Sequence, residues 1–217
     1  MKSILKFTLT IAAIVLVSPL AISERLLRKA LGRDVLFAGC AQLLSLIPGK
    51  CGSYIRNAYY HFTLRACPLD CRFEFGMLFT HSDATVGSRV YIGSFARVGR
   101  TSIGDYTMIA DHVNILSGRH QHATDDSSVP YQCQLQTFEE VHIARNVWVG
   151  ANSVIMANLD DNCIVGAGAV VTHPVPSGCV VAGVPACIIR NSTGRINSQT
   201  FSVEFPLNSR DSNSLPD

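Results

Sequence analysis

The fold is decided by a repeat whose first half, residues 86–109, reads VGSRVYIGSFARVGRTSIGDYTMI. An aliphatic residue returns there at about every sixth position. The same spacing resumes in residues 143–155, which read IARNVWVGANSVI. We call these aliphatic positions the anchors: Val86, Ile92, Val98, Ile103, Ile109, Ile115, Ile143, Val149, Ile155, Leu159, Val165 and Val171. A fixed short period predicts a solenoid, whose stacked coils bury a core that no single coil could bury.

Each hexad suits one short strand and one corner, with the anchor pointing inward where Val and Ile fit a pleated, buried surface. Glycine follows many anchors, as at Gly93 and Gly104. We expect it to permit a corner conformation that a side chain would obstruct. Small or medium residues recur four positions after an anchor, among them Cys163, which we expect to be a free, buried thiol. Three hexads close one triangular coil of about eighteen residues.

Three segments resemble motifs of the hexapeptide-repeat acyltransferases, and most closely those of the bacterial sugar and polysaccharide O-acetyltransferases. Residues 143–151 resemble the motif around an active-site tryptophan, residues 165–172 the coenzyme A-binding turn, and residues 181–190 the closing motif. The resemblance implies a mainly β fold, a left-handed parallel β-helix, although crossovers in parallel sheets are usually right-handed. It also implies a homotrimer that moves acetyl from acetyl-CoA to a hydroxyl of a sugar or polysaccharide precursor.

The resemblance further implies which residues contact acetyl-CoA. They are Ala151 and Ala167 through their backbone, and Thr172 and Arg190 near the adenosine and its phosphates. The family commonly has a basic residue after the threonine and another after the Pro-Ala pair, where this chain has His173 and Cys187. We therefore expect weaker binding of the cofactor than in the family.

The segment between the two repeat blocks, residues 117–140, is a long loop, and such loops on rigid scaffolds usually carry function. Acetyl transfer to a hydroxyl needs a general base, and histidine titrates near neutral pH. The resemblance implies a loop histidine in this role: His122 is favoured, and His120 is the alternative. Asp125 or Asp126 could orient the imidazole by accepting its other ring proton, and a solvated loop position is the alternative for either acid.

Two residues outside this loop are candidates for contacting the acceptor. Trp148 is the only tryptophan, and it would stack on the sugar or line the thioester channel. His81 precedes the first clear hexad and would line the acceptor pocket, although a capping role is its alternative. The antibiotic-type acetyltransferases are similar over the same repeats, and a non-catalytic β-helix scaffold is a third interpretation.

The N-terminus predicts attachment to a membrane. Residues 7–23 carry no charge and are slightly shorter than the ~20 residues of a spanning helix. A cleaved signal peptide is the alternative. Basic residues follow the stretch more densely than they precede it, which favours a retained anchor with the domain facing the cytosol, at the inner membrane. Pro19 would allow a re-entrant element, and residues 35–48 predict an amphipathic or buried helix.

The sequence thus divides into an N-terminal membrane anchor and helical segment (1–50), a β-helix domain (51–190) and a polar tail (191–217). The net charge of +2 and the absence of a long basic run leave no electrostatic footprint for nucleic acid. We expect no metal. The carbonic anhydrase-like members of the same fold use a His-x4-His ligand pair, and no two histidines here have that spacing.

Overall fold

The chain forms coils of short strands that stack into three sheets, one for each side of the coil. The computed structural model describes residues 2–31 (side chains from Lys6 onward), 34, 36–119, 121, 123 and 127–191. The first sheet contains β1 (Arg72–Phe73), β4 (Tyr91–Ile92), β7 (Met108–Ile109), β10 (Trp148–Val149), β12 (Ile164–Val165), β14 (Val180–Ala182) and β15 (Cys187–Arg190). The second contains β2 (Leu78–Phe79), β5 (Arg97–Val98), β8 (Asn114–Ile115), β11 (Val154–Ile155) and β13 (Val170–Val171). The third contains β3 (Thr85–Val86), β6 (Thr101–Ile103) and β9 (Val141–Ile143).

All pairs of these strands are parallel except the last, in which β15 folds back antiparallel onto β14. The predicted stacking of coils is therefore confirmed. All twelve anchors point into the core, and none is more than 3% exposed. Cys163 is a free thiol with no exposed surface, as expected for a small residue at an inward position.

The prediction that the glycines after the anchors permit an unusual corner conformation is wrong. The positive φ values lie two residues after these glycines, at Phe95 after Gly93 and at Tyr106 after Gly104. Gly104 is required because the coils stack closely: a Cβ there would lie 2.7 Å from the carbonyl carbon of Ala144 and 2.8 Å from the backbone nitrogen of Arg145. The period therefore reports a close approach of two backbones rather than an unusual dihedral.

We expect Gly104→Ala to destabilise the protein by about 2 kcal/mol, because a methyl group pressed against backbone overpacks the coil. Thermal or urea denaturation measures this. Gly39→Ala is the matched control: it lies within a helix, and an added Cβ there meets no atom within 4 Å. It should stabilise by about 0.5–1 kcal/mol. Equal stability of the two variants would contradict the close approach.

Three helices precede the coils: α1 (Lys2–Leu31), α2 (Phe37–Ser45) and α3 (Gly49–Thr63). The predicted helix within residues 35–48 is confirmed by α2. Pro19 lies inside α1, which continues through it, so the predicted re-entrant turn at this proline is wrong. The predicted domain boundary at residue 50 falls within α3, and the helical part extends to Thr63. The described residues of the predicted tail stop at Asn191.

Helix α3 closes the open end of the first coil. The ring of Tyr60 meets the rings of Phe73 and Phe79 edge-on, with centroids 5.5 and 4.9 Å away. The Arg56 side chain is 1% exposed and donates to the carbonyl oxygens of Phe73 and Ile47 at 3.1 and 2.7 Å. These contacts join the helices and the coils through one continuous core.

Candidate active site

The long loop leaves the solenoid at the corner between the second and third sheets. We call this the loop corner, and its residues in successive coils are His81, Arg100 and Ser117, each two positions after an inward-pointing residue. The backbone amide of Arg100 donates to Ser117 Oγ at 2.9 Å, and its guanidinium donates to the carbonyl oxygen of Phe138 at 2.9 Å. Arg100 therefore connects the beginning and the end of the loop. It was not a sequence candidate, because nothing local distinguishes it from an outward basic residue.

The two limbs of the loop pair with each other. The amide of Glu139 donates to the Ser117 carbonyl at 3.0 Å, and the amide of Ala123 donates to the Leu135 carbonyl at 2.9 Å. Gly118 has φ +86, and a Cβ there would meet the side chain of Glu139. The base of the loop is thus fixed on the rigid coils. The predicted residues His120, His122, Asp125 and Asp126 lie outside the described part of the chain.

His81 lies beside the returning limb of the loop, with its ring centroid 5.2 Å from that of Phe138. Partial burial lowers the pKa of His81, and the nearby positive charge of Arg100 acts in the same direction, whereas Asp83 opposes both. The Nδ1 atom is 2.9 Å from Thr80 Oγ1. The lowered pKa favours the neutral form of this imidazole next to the loop. Contact with an acceptor hydroxyl stays a prediction.

The predicted cofactor residues Ala151 and Ala167 lie in successive coils at the corner between the first and second sheets, which we call the cofactor corner. Two coils earlier at this corner, the amide of Ser94 donates to the Asp111 carboxylate of the next coil at 2.6 Å. In the coil after Ala151, the position equivalent to Asp111 is Ala167, whose side chain cannot accept a hydrogen bond. Among the described residues, none accepts a hydrogen bond from the amide of Ala151 or Ala167. Both amides are therefore available to an extended ligand.

The other two predicted cofactor residues lie apart from this corner. Thr172 follows β13 at the far end of the second sheet's face, and its Oγ1 is 2.9 Å from Nδ1 of the exposed His173. Arg190 is exposed at the end of β15, in the first sheet. Within the described residues, no hydrogen bond or ion pair joins Thr172 or Arg190 to the two alanines.

Trp148 is half exposed on the outer surface of the first sheet. The strand register places it in a row with outward side chains of the neighbouring coils: Tyr91, Met108, Ile164 and Val180. This apolar row differs from the outward positions of the third sheet, where Ser102 and His142 face each other. Across the described residues, no group of three or more His, Cys, Asp or Glu side chains is placed to hold a metal ion.

Sequence comparison finds sugar O-acetyltransferases. The chain is 34% identical over 119 residues to galactoside O-acetyltransferase from Escherichia coli K12, a match covering 50% of this chain and 57% of that protein. It is 33% identical over 122 residues to the putative lipopolysaccharide biosynthesis O-acetyl transferase WbbJ of the same organism, covering 53% of this chain and 61% of that protein. The chain thus spans about 60% of the length of these relatives. No family model matches.

Solved structures share the fold. A maltose O-acetyltransferase from Clostridium difficile 630 aligns with a TM-score of 0.63 at 21% identity, over 79% of this chain and 88% of that one. The hexapeptide-repeat acetyltransferase VCA0836 from Vibrio cholerae aligns with a TM-score of 0.61 at 20% identity, over 71% and 88%. The predicted resemblance to the hexapeptide-repeat acyltransferases is confirmed: the sequence matches include galactoside and lipopolysaccharide O-acetyltransferases, and a solved hexapeptide-repeat acetyltransferase shares the fold.

Proposed function

We propose that this chain is an O-acetyltransferase that moves acetyl from acetyl-CoA to a hydroxyl of a sugar or polysaccharide precursor. One observation carries the proposal. The chain is similar to sugar O-acetyltransferases over about half of its length, and Ala151 and Ala167 in successive coils offer two amides without a partner among the described residues, at the predicted cofactor positions. The VCA0836 protein has also been solved in complex with acetyl coenzyme A, and that structure aligns with this chain at a TM-score of 0.54.

In the proposed reaction, His122 takes the proton of the acceptor hydroxyl as that oxygen attacks the thioester carbonyl carbon. The carbon–sulfur bond breaks, and the histidine returns the proton to the leaving thiolate. His120 is the alternative base, and Asp125 or Asp126 orients the imidazole. The amides of Ala151 and Ala167 hold the thioester arm in place, while Trp148 and His81 contact the acceptor. No acyl-enzyme forms.

Calorimetric titration of the full chain with acetyl-CoA tests the function without knowledge of the acceptor. We expect saturable binding at about one site per chain, followed by acetyl transfer to simple galactosides or to maltose. No binding at millimolar cofactor would mean that the basic residues replaced by His173 and Cys187 are indispensable. A non-catalytic scaffold would then be the better interpretation. Binding with transfer only to an antibiotic would favour the antibiotic-type alternative.

We further infer that the chain forms a homotrimer and that its coils wind left-handed. The handedness rests on the resemblance to the hexapeptide-repeat enzymes. The trimer is supported by the apolar row on the first sheet, because exposed contiguous apolar surface marks interaction sites. Shared active sites between subunits would place Trp148 and its neighbours against another copy.

For the trimer, we expect Met108→Arg to release monomers in analytical ultracentrifugation, because it places a charge within the apolar row, between Tyr91 and Trp148. The control is Ser102→Arg, which adds the same charge to the polar third sheet and should leave the sedimentation coefficient unchanged. A wild-type chain that sediments as a monomer would exclude the trimer.

We also propose that α1 is retained and attaches the chain to the cytosolic side of the inner membrane. Among the residues that the structure describes, one helix, Lys6–Leu31, is long and apolar enough to cross a membrane. Its C-terminal half is integrated into the domain: the Glu24 carboxylate is fully buried and accepts from the Leu36 amide at 3.0 Å. Arg28 pairs with Asp34 at 2.7 Å. Cleavage near Ser23 would remove the part of α1 that precedes Glu24, so that Glu24 and Arg28 would lie at a free chain end. Sequencing the N-terminus of the membrane fraction tests retention.

A further inference from the structure

Helix α1 lies along α3 for the whole length of α3. At one end, Lys6 and Thr10 line a common cavity with Lys50 of α3. At the other end, Arg25 Nε donates to the carbonyl oxygen of Phe62 at 2.7 Å. Helix α3 is in turn joined to the coils, so a spanning α1 would have to draw α3 and its charged residues into hydrocarbon, where charges are costly. The helix therefore lies parallel to the protein surface rather than projecting from it.

The outer face of α1 is apolar along its length. It exposes Phe7, Ile11, Val15, Leu16, Ile22 and Leu26, together with the basic Arg25 near its C-terminal end. Phe7 is 68% and Val15 66% exposed, which is unusual for such side chains in water. The exposed Lys6 and Lys29 lie near its two ends. An apolar helix face bordered by basic residues is typical of helices that lie in the interface of an anionic membrane.

A cavity of about 600 Å³ opens beside the N-terminal end of this face, between α1, the start of α3 and the first coil. Its lining combines three cations with apolar groups: Lys6, Lys50, Arg72, Phe7, Tyr54 and Leu69, together with Asp70. Arg72 is paired with Glu74, whereas neither Lys6 nor Lys50 forms an ion pair with another described residue. The Asp70 carboxylate accepts from the backbone amide of Arg89 at 3.2 Å. Two ammonium groups thus remain available to an anion.

We propose that this cavity binds the phosphate headgroup of a membrane lipid, with Lys6 and Lys50 contacting the phosphate while α1 lies in the plane of the membrane. The lipid is favoured over free phosphate because Phe7 belongs both to the cavity lining and to the exposed apolar face. The acyl chains would therefore continue from the cavity along α1. This inference rests on the membrane attachment proposed above and does not depend on the acetyl transfer.

The test uses the full chain in non-ionic detergent, titrated calorimetrically with dihexanoyl phosphatidic acid. We expect saturable binding that is weakened about 25-fold in Lys6→Gln/Lys50→Gln, about fivefold for each charge. The control variant Arg97→Gln/Arg145→Gln removes two exposed charges from the coils, so it has the same net charge but leaves the cavity and α1 intact, and it should bind as the wild type does. Dihexanoyl phosphatidylcholine, whose headgroup has no net charge, should bind much more weakly.

Other outcomes overturn the proposal in distinct ways. Equal affinity for inorganic phosphate would exclude the lipid assignment, and equal losses in both double variants would indicate non-specific attraction. Failure of the full chain to float with phosphatidylglycerol vesicles would exclude the membrane attachment itself. Acetyl-CoA binding is measured on the same samples, so loss of the lipid site and failure of the proposed transferase are distinguished.

Discussion

Replacing His122 with alanine is expected to lower kcat for acetylation by roughly 10²–10⁴-fold, which is the usual contribution of a positioned general base. The affinity for acetyl-CoA should remain unchanged, because the predicted cofactor contacts are backbone amides at a different corner of the coil. Steady-state kinetics with a galactoside acceptor, combined with calorimetry of cofactor binding, measures both quantities on the same variant.

His120→Ala is the matched control for this experiment. A small effect at His120 and a large one at His122 would assign the base, and the reverse result would assign it to His120. The kcat of the wild-type enzyme should also fall at acidic pH, because the base becomes protonated. In the variant that lacks the base, this fall of kcat with acidity should be absent. Full activity of both variants would exclude a loop histidine as the base.

Replacing Ala167 with aspartate is expected to weaken acetyl-CoA binding by on the order of 50-fold, from a lost hydrogen bond and repulsion of the phosphates. The reason is a comparison within the molecule. Asp111 occupies the equivalent corner position and accepts from the amide of Ser94 in the preceding coil. A carboxylate at residue 167 would accept from the Ala151 amide in the same way, so that this donor would no longer be available.

Ala167→Asn separates the two causes, because its amide oxygen accepts from Ala151 without adding charge. We expect a loss of roughly fivefold from asparagine, since one hydrogen bond contributes about 1 kcal/mol. Neither variant should lower the melting temperature, because the equivalent aspartate is already accommodated at residue 111. Wild-type affinity in both variants would show that the amide of Ala151 does not contact the cofactor.

The coils could be predicted because their pattern is local. Each anchor needs only its own hexad to specify an inward aliphatic residue, so the period from Val86 to Val171 is visible without knowledge of the partners. The stacking of Ala151 on Ala167 follows from the same period. The role of Gly104 could not be predicted, because it depends on the distance to Ala144, whose coil follows after the inserted loop.

The helices and the acceptor side were harder to predict for a different physical reason. Helix α3 buries the polar Arg56 and Asn57, at positions where a hydrophobic pattern would predict apolar residues. The environment of His81 is formed by Arg100 from the next coil and Phe138 from the far end of the loop. Contacts between such distant segments depend on the path of the loop, which no short period specifies.

The aromatic closure formed by Tyr60 over Phe73 and Phe79 has a consequence for polymerisation. An uncapped first coil would present unpaired strand edges and a bare apolar cross-section to the last coil of another molecule, the arrangement from which fibres grow. Here α3 covers the first coil, and the antiparallel β15 occupies the edge of the first sheet at the last coil. We therefore expect the described part of the chain to resist growth along the axis and to assemble side by side, through the outer surfaces of the sheets.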